Sequence, residues 1–393
     1  MKTIREIDIA GKRVLIRVDF NVPMDDDGNI TDDIRIRMAL PTLQYAIENN
    51  ARVILCSHMG RPKGQRVAEY SLAPVAQALA GILDRDVLLA PDCIGAETEA
   101  MIGRMHDGDV VLLENLRYHK EEEANDPEFS RQLASLADVY INDAFAVSHR
   151  AHASVAGVTA YFAQKAAGFL LEKEMDYFHR SMDEPERPLV AIVGGAKVSS
   201  KLGALENMLD KVDRMMVGGA MANTFLKSQG LDVGASKVED DLLETAGRFL
   251  VQAAEKGVKV YLPVDVIAAD RFAPDAAARQ VDVQNIPHDW MALDIGPETL
   301  KIFTAALSDA RTIIWNGPMG AFEMDAFATG TMTLAHVVAS SHALSITGGG
   351  DSNAAVKQAG EAENISYMST GGGAFLMLME GKTLPGVDAL GIG

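Results

Sequence analysis

The sequence predicts an α/β protein of two doubly wound, Rossmann-like domains, each with a parallel sheet. Three observations predict this. A chain of 393 residues exceeds one ordinary core and suits two domains of roughly 150 to 200 residues each. Short apolar, β-branched runs recur without polar alternation and are separated by helix-length stretches, the pattern of strands buried on both faces of a parallel sheet. Finally, the residues directly after each run change character midway along the chain.

In the first half the runs are RVLIRV (13–18), RVIL (52–55), VVLL (110–113) and VYI (139–141), followed by DFN, SHMGRP, ENLRYH and NDAF. In the second half they are LVAIV (189–193), RMMV (214–217), VKVYL (258–262), TIIW (312–315), LSIT (344–347) and ISYM (365–368). These lead into GGAK, GGAM, PVDV, NGPMG, GGGD and STGGG. Ligands of such sheets bind beyond the carboxyl ends of the strands. The first half therefore offers Arg, His and Asn side chains to a small anion, and the second offers glycine backbone to phosphates. Between the halves, Leu170, Leu171, Met175 and Phe178 form a helical stripe that Pro185 and Pro188 end, which predicts an interdomain helix. The closing GKTLPGVDALGIG is too short for a domain and must pack on one already built.

Composition narrows the function. With 48% hydrophobic and 23% charged residues both cores can be built. A formal charge of −19 argues against a nucleic-acid partner, whose phosphate backbone is held by Lys and Arg. It still permits a local basic cleft for a small anion. The start is charged throughout and lacks the apolar stretch of a secretory signal. No segment reaches the ~18 uninterrupted apolar residues of a membrane span. Two cysteines, Cys56 and Cys93, make neither a disulfide framework nor a thiolate metal site, which fits a reducing cytoplasm.

In AIVGGAKVSSKL (191–202) a strand meets a double glycine and then Lys197 and Lys201, four residues apart. As a strand–glycine–helix junction it predicts close backbone approach to an anion, with both lysines on one helix face. The plain alternative is a solvated lysine pair beside a packing turn. It weakens because TGGGD (347–351) and STGGGA (369–374) end strands of the same half in the same way. Asp351 after its glycines suits a magnesium ion held with phosphate oxygens, or simply a helix cap. No Walker loop is present, since Leu376 stands where the first glycine of EGKT would be, and no G-x-G-x-x-G is completed.

In the first half RVDFNVP (17–23) places Asp19 and Asn21 at a strand end, and SHMGRPKG (57–64) offers His58 and Arg61. Arg35, Arg117, His149 and Arg150 complete the set. A guanidinium fork matches carboxylate and phosphate geometry. Any of these arginines alone reads as a surface residue; several at the strand ends of one sheet do not. His149 with His152 lacks the further ligands of a metal site. Cys56 beside His58 reads as a packing cysteine, and EEE (121–123) as a solvated face.

Taken in order, RVDFNVP, SHMGRPKG, LLENLRYH, NDAFAVSHRAHAS, GGAKVSSKL, IIWNGPMGAFE, TGGGDS and STGGGAFLMLMEGKTLPGVDAL resemble the phosphoglycerate kinase family over essentially the whole chain. The resemblance implies reversible phosphoryl transfer from 1,3-bisphosphoglycerate to ADP, giving 3-phosphoglycerate and ATP with magnesium. It implies a phosphoglycerate-binding domain over 1–167, completed by a returning tail at about 377–393. An interdomain helix over 168–184 and a nucleotide-binding domain over 185–376 come next, the two domains closing before in-line transfer in a cytoplasmic monomer. By motif, Asp19, Phe20, Asn21, Arg35, His58, Met59, Gly60, Arg61, Arg117, His149 and Arg150 would hold phosphoglycerate. Lys197, Lys201, Gly219, Asn316, Glu323, Gly349, Gly350, Asp351 and Ser352 would hold the nucleotide, Asp351 taking the magnesium. Arg35, Lys197, Gly350 and Gly373 would act in catalysis. Met59, Met319, Ser352 and Ser200 depart from residues common in the family, Ser200 standing where aspartate is frequent, and none removes a charged catalytic group. A different two-domain kinase of small phosphorylated acids, or a two-lobed anion-binding protein, are the competing readings. The second has no use for Asp351 and repeated glycine turns.

Overall fold

The computed structural model describes residues 1–391, so Ile392 and Gly393 of the expected tail lie outside the described residues. Two compact units emerge. One is Met1–Met175 with the segment that begins at Thr383; the other is Asp176–Lys382. The boundary falls inside the helix Phe169–Met182.

The first unit is built on β1 (Arg13–Arg17), β2 (Arg52–Cys56), β3 (Val87–Leu89), β4 (Val110–Leu112), β5 (Val139–Asn142) and β6 (Lys165–Ala167). All pair in parallel, in the order β3-β4-β2-β1-β5-β6. Apolar side chains leave both faces of the inner strands: on one face Val14, Ile16, Val53, Leu55 and Ile141 pack with Leu43 and Leu79 of the helices Ile34–Glu48 and Ala73–Leu83, and on the other Leu15, Ile54, Val111 and Tyr140 are wholly buried. From β1 the chain moves outward to β2, and from β5 it moves outward to β6 on the other side. That change of direction opens a crevice beyond β1 and β5, where ligands of such sheets settle.

The second unit carries β7 (Leu189–Val193), β8 (Arg214–Val217), β9 (Lys259–Tyr261), β10 (Asp265–Ala269), β11 (Ala278–Asp282), β12 (Met291–Ile295), β13 (Thr312–Asn316), β14 (Leu344–Thr347) and β15 (Tyr367–Met368). Six of them form a parallel sheet in the order β15-β14-β13-β7-β8-β9. The strands β7 and β13 are buried at every position, as their unbroken apolar runs require. Here the direction reverses between β7 and β13.

All ten runs read from the sequence are strands. The additions are β3, β6 and a separate antiparallel sheet in the order β11-β10-β12. That small sheet covers a core of Leu226, Val233, Val266 and Ala268. Its strand β11, ARQVD, is exposed along most of its length, so no apolar run marks it.

The helix Gly372–Met379 packs within the second unit, where Phe375 meets Phe178 edge-on at 6.0 Å and Asn207 donates to Met379 O at 2.8 Å. From Thr383 the chain belongs to the first unit. Gly386 N donates to Ser148 O at 2.9 Å, and Asn142 Nδ2 donates to Gly386 O at 3.1 Å. A side chain at Gly386 would press on Val155 Cγ1 at 2.6 Å, so only glycine allows this seam beside His149 and Arg150.

Candidate functional site

In the first unit the loops after β1 and β2 are tied to each other. Phe20 N donates to Ser57 Oγ at 2.9 Å, and Gly60 N donates to Asn21 Oδ1 at 2.9 Å. Arg35, in the first turn of its helix, reaches back to Asp19 Oδ2 at 2.8 Å and Asn21 O at 3.1 Å. Arg117 Nη1 donates to Gly60 O at 2.8 Å. Its Nε lies 3.3 Å from Glu123 without hydrogen-bond geometry. The Asn115 side chain holds this corner by accepting from Met59 N and Arg117 N and donating to Met59 O. Arg150 Nε donates to His149 Nε2 at 3.2 Å.

His58 is the best reporter of what these groups do together. It is buried, and burial first, then Arg17, Arg117, Arg35 and Arg150, holds its imidazole well below the ordinary value. His149 is also lowered, by burial and then Arg150. His152 is pushed down to about 4 by burial, Arg117 and Arg17. The structure therefore brings Asp19, Asn21, Arg35, His58, Met59, Gly60, Arg117, His149 and Arg150 around one positive corner. Phe20 stands beneath it, wholly buried. Arg61 is on the same loop, exposed.

Two residues of this corner escape a reading by motif. Arg17 is an arginine buried within a strand. Its Nε donates to Ser154 Oγ at 2.8 Å, and its Nη2 lies 3.3 Å from His58 Nδ1. Glu122 is wholly buried and accepts from Ser154 N at 2.8 Å and Ser154 Oγ at 2.6 Å. The expected solvated acidic face is thus corrected at its middle residue. Glu122 lies outside the strands yet faces inward, where Ser154 links it to Arg17; burial pushes its carboxyl up, and the Arg17 guanidinium opposes that. The one signal in the sequence was the charged Arg17 inside RVLIRV.

In the second unit the switch between β7 and β13 is bridged by one side chain. Lys201 Nζ donates to Gly194 O at 2.6 Å and to Asn316 O at 2.8 Å, the carbonyls where the two strands end. Burial lowers its ammonium to about 8, with Asp351 opposing. The expected shared helix face is corrected here. The helix is only Leu202–Met208 and Lys201 is its N-cap, so Lys197 lies in the preceding turn, exposed. The double glycine and the bridging ammonium consume the residues that a first helical turn would need. Lys197 Nζ makes no hydrogen bond or ion pair among the described residues. The turn is close-packed: a side chain at Gly317, whose φ is +98°, would collide with Gly194 O and the Lys201 ammonium.

The neighbouring turns interlock with it. Asn316 Nδ2 donates to Gly348 O at 2.7 Å, and Ser352 Oγ accepts from Gly317 N at 2.6 Å. Gly349 (φ +99°) turns the chain into the helix Gly350–Gln358, which has Asp351 in its first turn. At Gly350 an added side chain would meet nothing within 4 Å, so the space over this helix end is open rather than filled by protein. Gly373 is exposed in the first turn of the helix Gly372–Met379.

A pocket of about 470 Å³ adjoins these turns, with Gly195, Gly219, Pro318, Glu323 and Asp351 in its lining. Its far wall was not foreseen: Phe272, Met291 and Leu293 come from the antiparallel sheet and its loop, and Lys237 from the segment before it. Phe272 is 67% exposed. A large aromatic left open beside an apolar pocket suits a flat ring.

The family model for phosphoglycerate kinase matches residues 4–382. The chain belongs to the phosphoglycerate kinase family. It is similar to the phosphoglycerate kinase of Desulfotalea psychrophila, 70% identical over 99% of this chain and 100% of the relative. The phosphoglycerate kinase of Geobacter metallireducens is 57% identical over 97% and 96%. Among solved structures, that of phosphoglycerate kinase from Coxiella burnetii superposes with a TM-score of 0.92 at 45% identity, covering 99% of this chain and 98% of that one. The family enzyme from Pyrococcus horikoshii gives 0.85 at 32% identity, covering 100% and 98%.

Proposed function

We propose that the two units divide the substrates of a phosphoglycerate kinase between side chains and backbone. As a member of this family the chain is a phosphotransferase with a carboxyl-group acceptor (EC 2.7.2.3), moving the acyl phosphate of 1,3-bisphosphoglycerate to ADP and back. The observation that carries the division is the guanidinium set around His58: in a chain of net charge −19, four arginines act on one buried imidazole. Such a corner stabilises a small phosphorylated carboxylate. Asp19, Asn21, Arg35, His58, Arg61, Arg117, His149 and Arg150 bind phosphoglycerate there, with Phe20, Met59 and Gly60 shaping the wall.

ADP or ATP occupies the second unit. Its base lies between Phe272 and Leu293, Glu323 takes the ribose hydroxyls, and Gly219, Asn316, Gly349, Gly350 and Ser352 frame the phosphates. Asp351, an exposed carboxylate in the pocket lining, fits a hard cation that shares phosphate oxygens. Magnesium held there would neutralise phosphate charge.

In the reverse direction the substrate's own carboxylate is the nucleophile and is ionised at neutral pH, so no general base is required. The work is positioning and stabilising charge on the transferred group. Arg35 and the exposed Lys197 supply that charge, Gly350 and Gly373 give room for it, and Lys201 holds the turn on which the phosphates rest. Donor and acceptor are held by different units, so transfer follows their closure, which also keeps water from the acyl phosphate. The buried, unpaired thiols of Cys56 and Cys93 support a cytoplasmic enzyme, and one chain carries every group named, supporting a monomer. None of the helices among the described residues is long and apolar enough to cross a membrane.

The test is magnesium-dependent ATP formation from 1,3-bisphosphoglycerate and ADP, run with the wild-type chain and with Lys197→Met. The wild type turns over, and the variant keeps its circular dichroism but loses turnover. Full-rate ATP formation by the variant removes Lys197 from catalysis.

A further inference from the structure

Outside both substrate corners, three ligand-type side chains meet in the first unit. Asp92 and Cys93 lie in the turn after β3, and His119 comes two residues after Arg117. A carboxylate oxygen, the thiol sulfur and an imidazole nitrogen all lie within 4.8 Å of one another, and no other such trio occurs among the described residues. We propose that Asp92, Cys93 and His119 form a binding site for a soft divalent cation of the zinc class, separate from the magnesium that accompanies the nucleotide.

The hydrogen bonding already has the shape of such a site. His119 Nε2 and Asp92 Oδ1 are 2.7 Å apart, and Cys93 N donates to the same carboxylate oxygen at 2.7 Å. The proton shared by His119 and Asp92 and the proton of the Cys93 thiol lie among three neighbouring donor atoms, where one cation would replace them. Sulfur, nitrogen and oxygen ligands with a fourth position left for water are a zinc set, whereas magnesium prefers oxygen alone and octahedral geometry.

Charge favours the exchange. On binding, the thiol proton leaves to solvent. The imidazole either shifts its proton to Nδ1 or, if protonated, loses its second one. Thiolate and carboxylate together then balance the dication, which leaves no net charge in a poorly solvated place.

The surroundings hold the ligands in place. Asp92 Oδ1 accepts from Cys93 N at 2.7 Å, Asp92 O accepts from Thr98 Oγ1 at 3.0 Å, and the His119 ring leans on Phe129 at 5.4 Å. Such outer contacts orient metal ligands. The Cys93 sulfur is buried, but the His119 and Asp92 side chains are 25% and 35% exposed, which gives an ion its way in.

The test is a cobalt(II) titration of the full chain without nucleotide or phosphoglycerate, so its result is independent of the catalytic assignments. The expected result is one cobalt per chain, a near-ultraviolet thiolate-to-cobalt band and the visible bands of tetrahedral cobalt. Zinc should displace the cobalt, and excess magnesium should leave it bound. Cys93→Ser and His119→Ala should weaken binding by about 100-fold or more, since even supporting partners of metal ligands are worth 10–100-fold. The Cys56→Ser variant should keep the band. Melting curves without metal identify any variant that fails to fold, and Asp92→Asn then serves in its place. Cobalt spectra without the thiolate band, or a band that survives both Cys93→Ser and His119→Ala, overturn the proposal.

Discussion

The two six-stranded sheets differ in what they present beyond their strands, although the backbone arrangement is much the same. In each, a central strand (β1 or β7) is flanked by its successor and by a strand from later in its unit, and the chain reverses direction beside it. Beyond β1 and β2 the loops carry Asp19, Asn21, His58 and Arg61, with Arg35 and Arg117 reaching in. Beyond β7, β13 and β14 they carry glycines, and the bridging side chains of Lys201 and Asn316 donate to backbone carbonyls rather than facing outward. The same scaffold can therefore grip an anion by guanidinium forks or seat one on peptide groups. The choice lies in a handful of residues after each strand, while the strands themselves supply position alone.

The comparison can be broken at its strongest point first. Arg35→Ala should lower kcat by on the order of 10³-fold, the effect of an arginine that stabilises phosphoryl transfer. If steady-state kinetics instead show an unchanged kcat with a raised KM for phosphoglycerate, the first unit only binds.

Next is the anchoring of the guanidinium set. Glu122→Gln keeps the size and the contact with Ser154 but leaves Arg17 without its buried counter-charge. A loss of about 2 kcal/mol is expected by urea denaturation, the scale for disturbing a buried polar group linked through Ser154. A change under about 0.5 kcal/mol, the size of an ordinary surface substitution, would mean that Arg17 finds its compensation in Val18 O and His58.

In the second unit, backbone seating predicts an opposite pairing of effects. Gly350→Ala meets no protein atom and sits in a first helical turn, so stability should hold or rise by roughly 0.5 kcal/mol. ATP and ADP should nevertheless bind about tenfold more weakly, a cost of about 1.4 kcal/mol, because the methyl occupies the phosphates' space. Unchanged nucleotide affinity by calorimetry would take the phosphates away from that helix end.

The last effect concerns protons and is absent at neutral pH. His152 is pushed down to about 4 against about 6.5 unfolded. Between these values the unfolded chain binds the extra proton, so this histidine's contribution is present above pH 6.5 and is lost as pH falls toward 4. His152→Gln should flatten that part of the stability–pH curve, and the His152 ring protons should titrate near pH 4 by NMR. Titration near the ordinary value of about 6.5 would show that neither burial nor the guanidinium field acts on it.

Much of this was legible in the sequence because parallel strands buried on both faces leave unbroken apolar runs, and because the residues just after them are the ligand-facing ones. All ten runs and both furnished ends could be read that way. The parts that stayed hidden did so for the same physical reasons. β11 is exposed and antiparallel, so it leaves no run, and with it went Phe272, Met291 and Leu293 of the pocket wall. Glu122 looks like its solvated neighbours in EEE, and only the three-dimensional meeting with Ser154 and Arg17 turns it inward. Lys197 and Lys201 have helical spacing, but spacing does not reveal that one ammonium is spent on two strand-end carbonyls.

The division of substrates between the units is tested most directly by calorimetric titration of Arg150→Ala with each substrate separately. Among the described residues the Arg150 side chain hydrogen-bonds only to His149, so its removal should leave the fold alone. The account predicts a Kd for 3-phosphoglycerate at least about tenfold weaker, the loss of one charge-assisted hydrogen bond, with the Kd for magnesium-ADP unchanged. Equal weakening of both ligands, or weakening of the nucleotide alone, would contradict it.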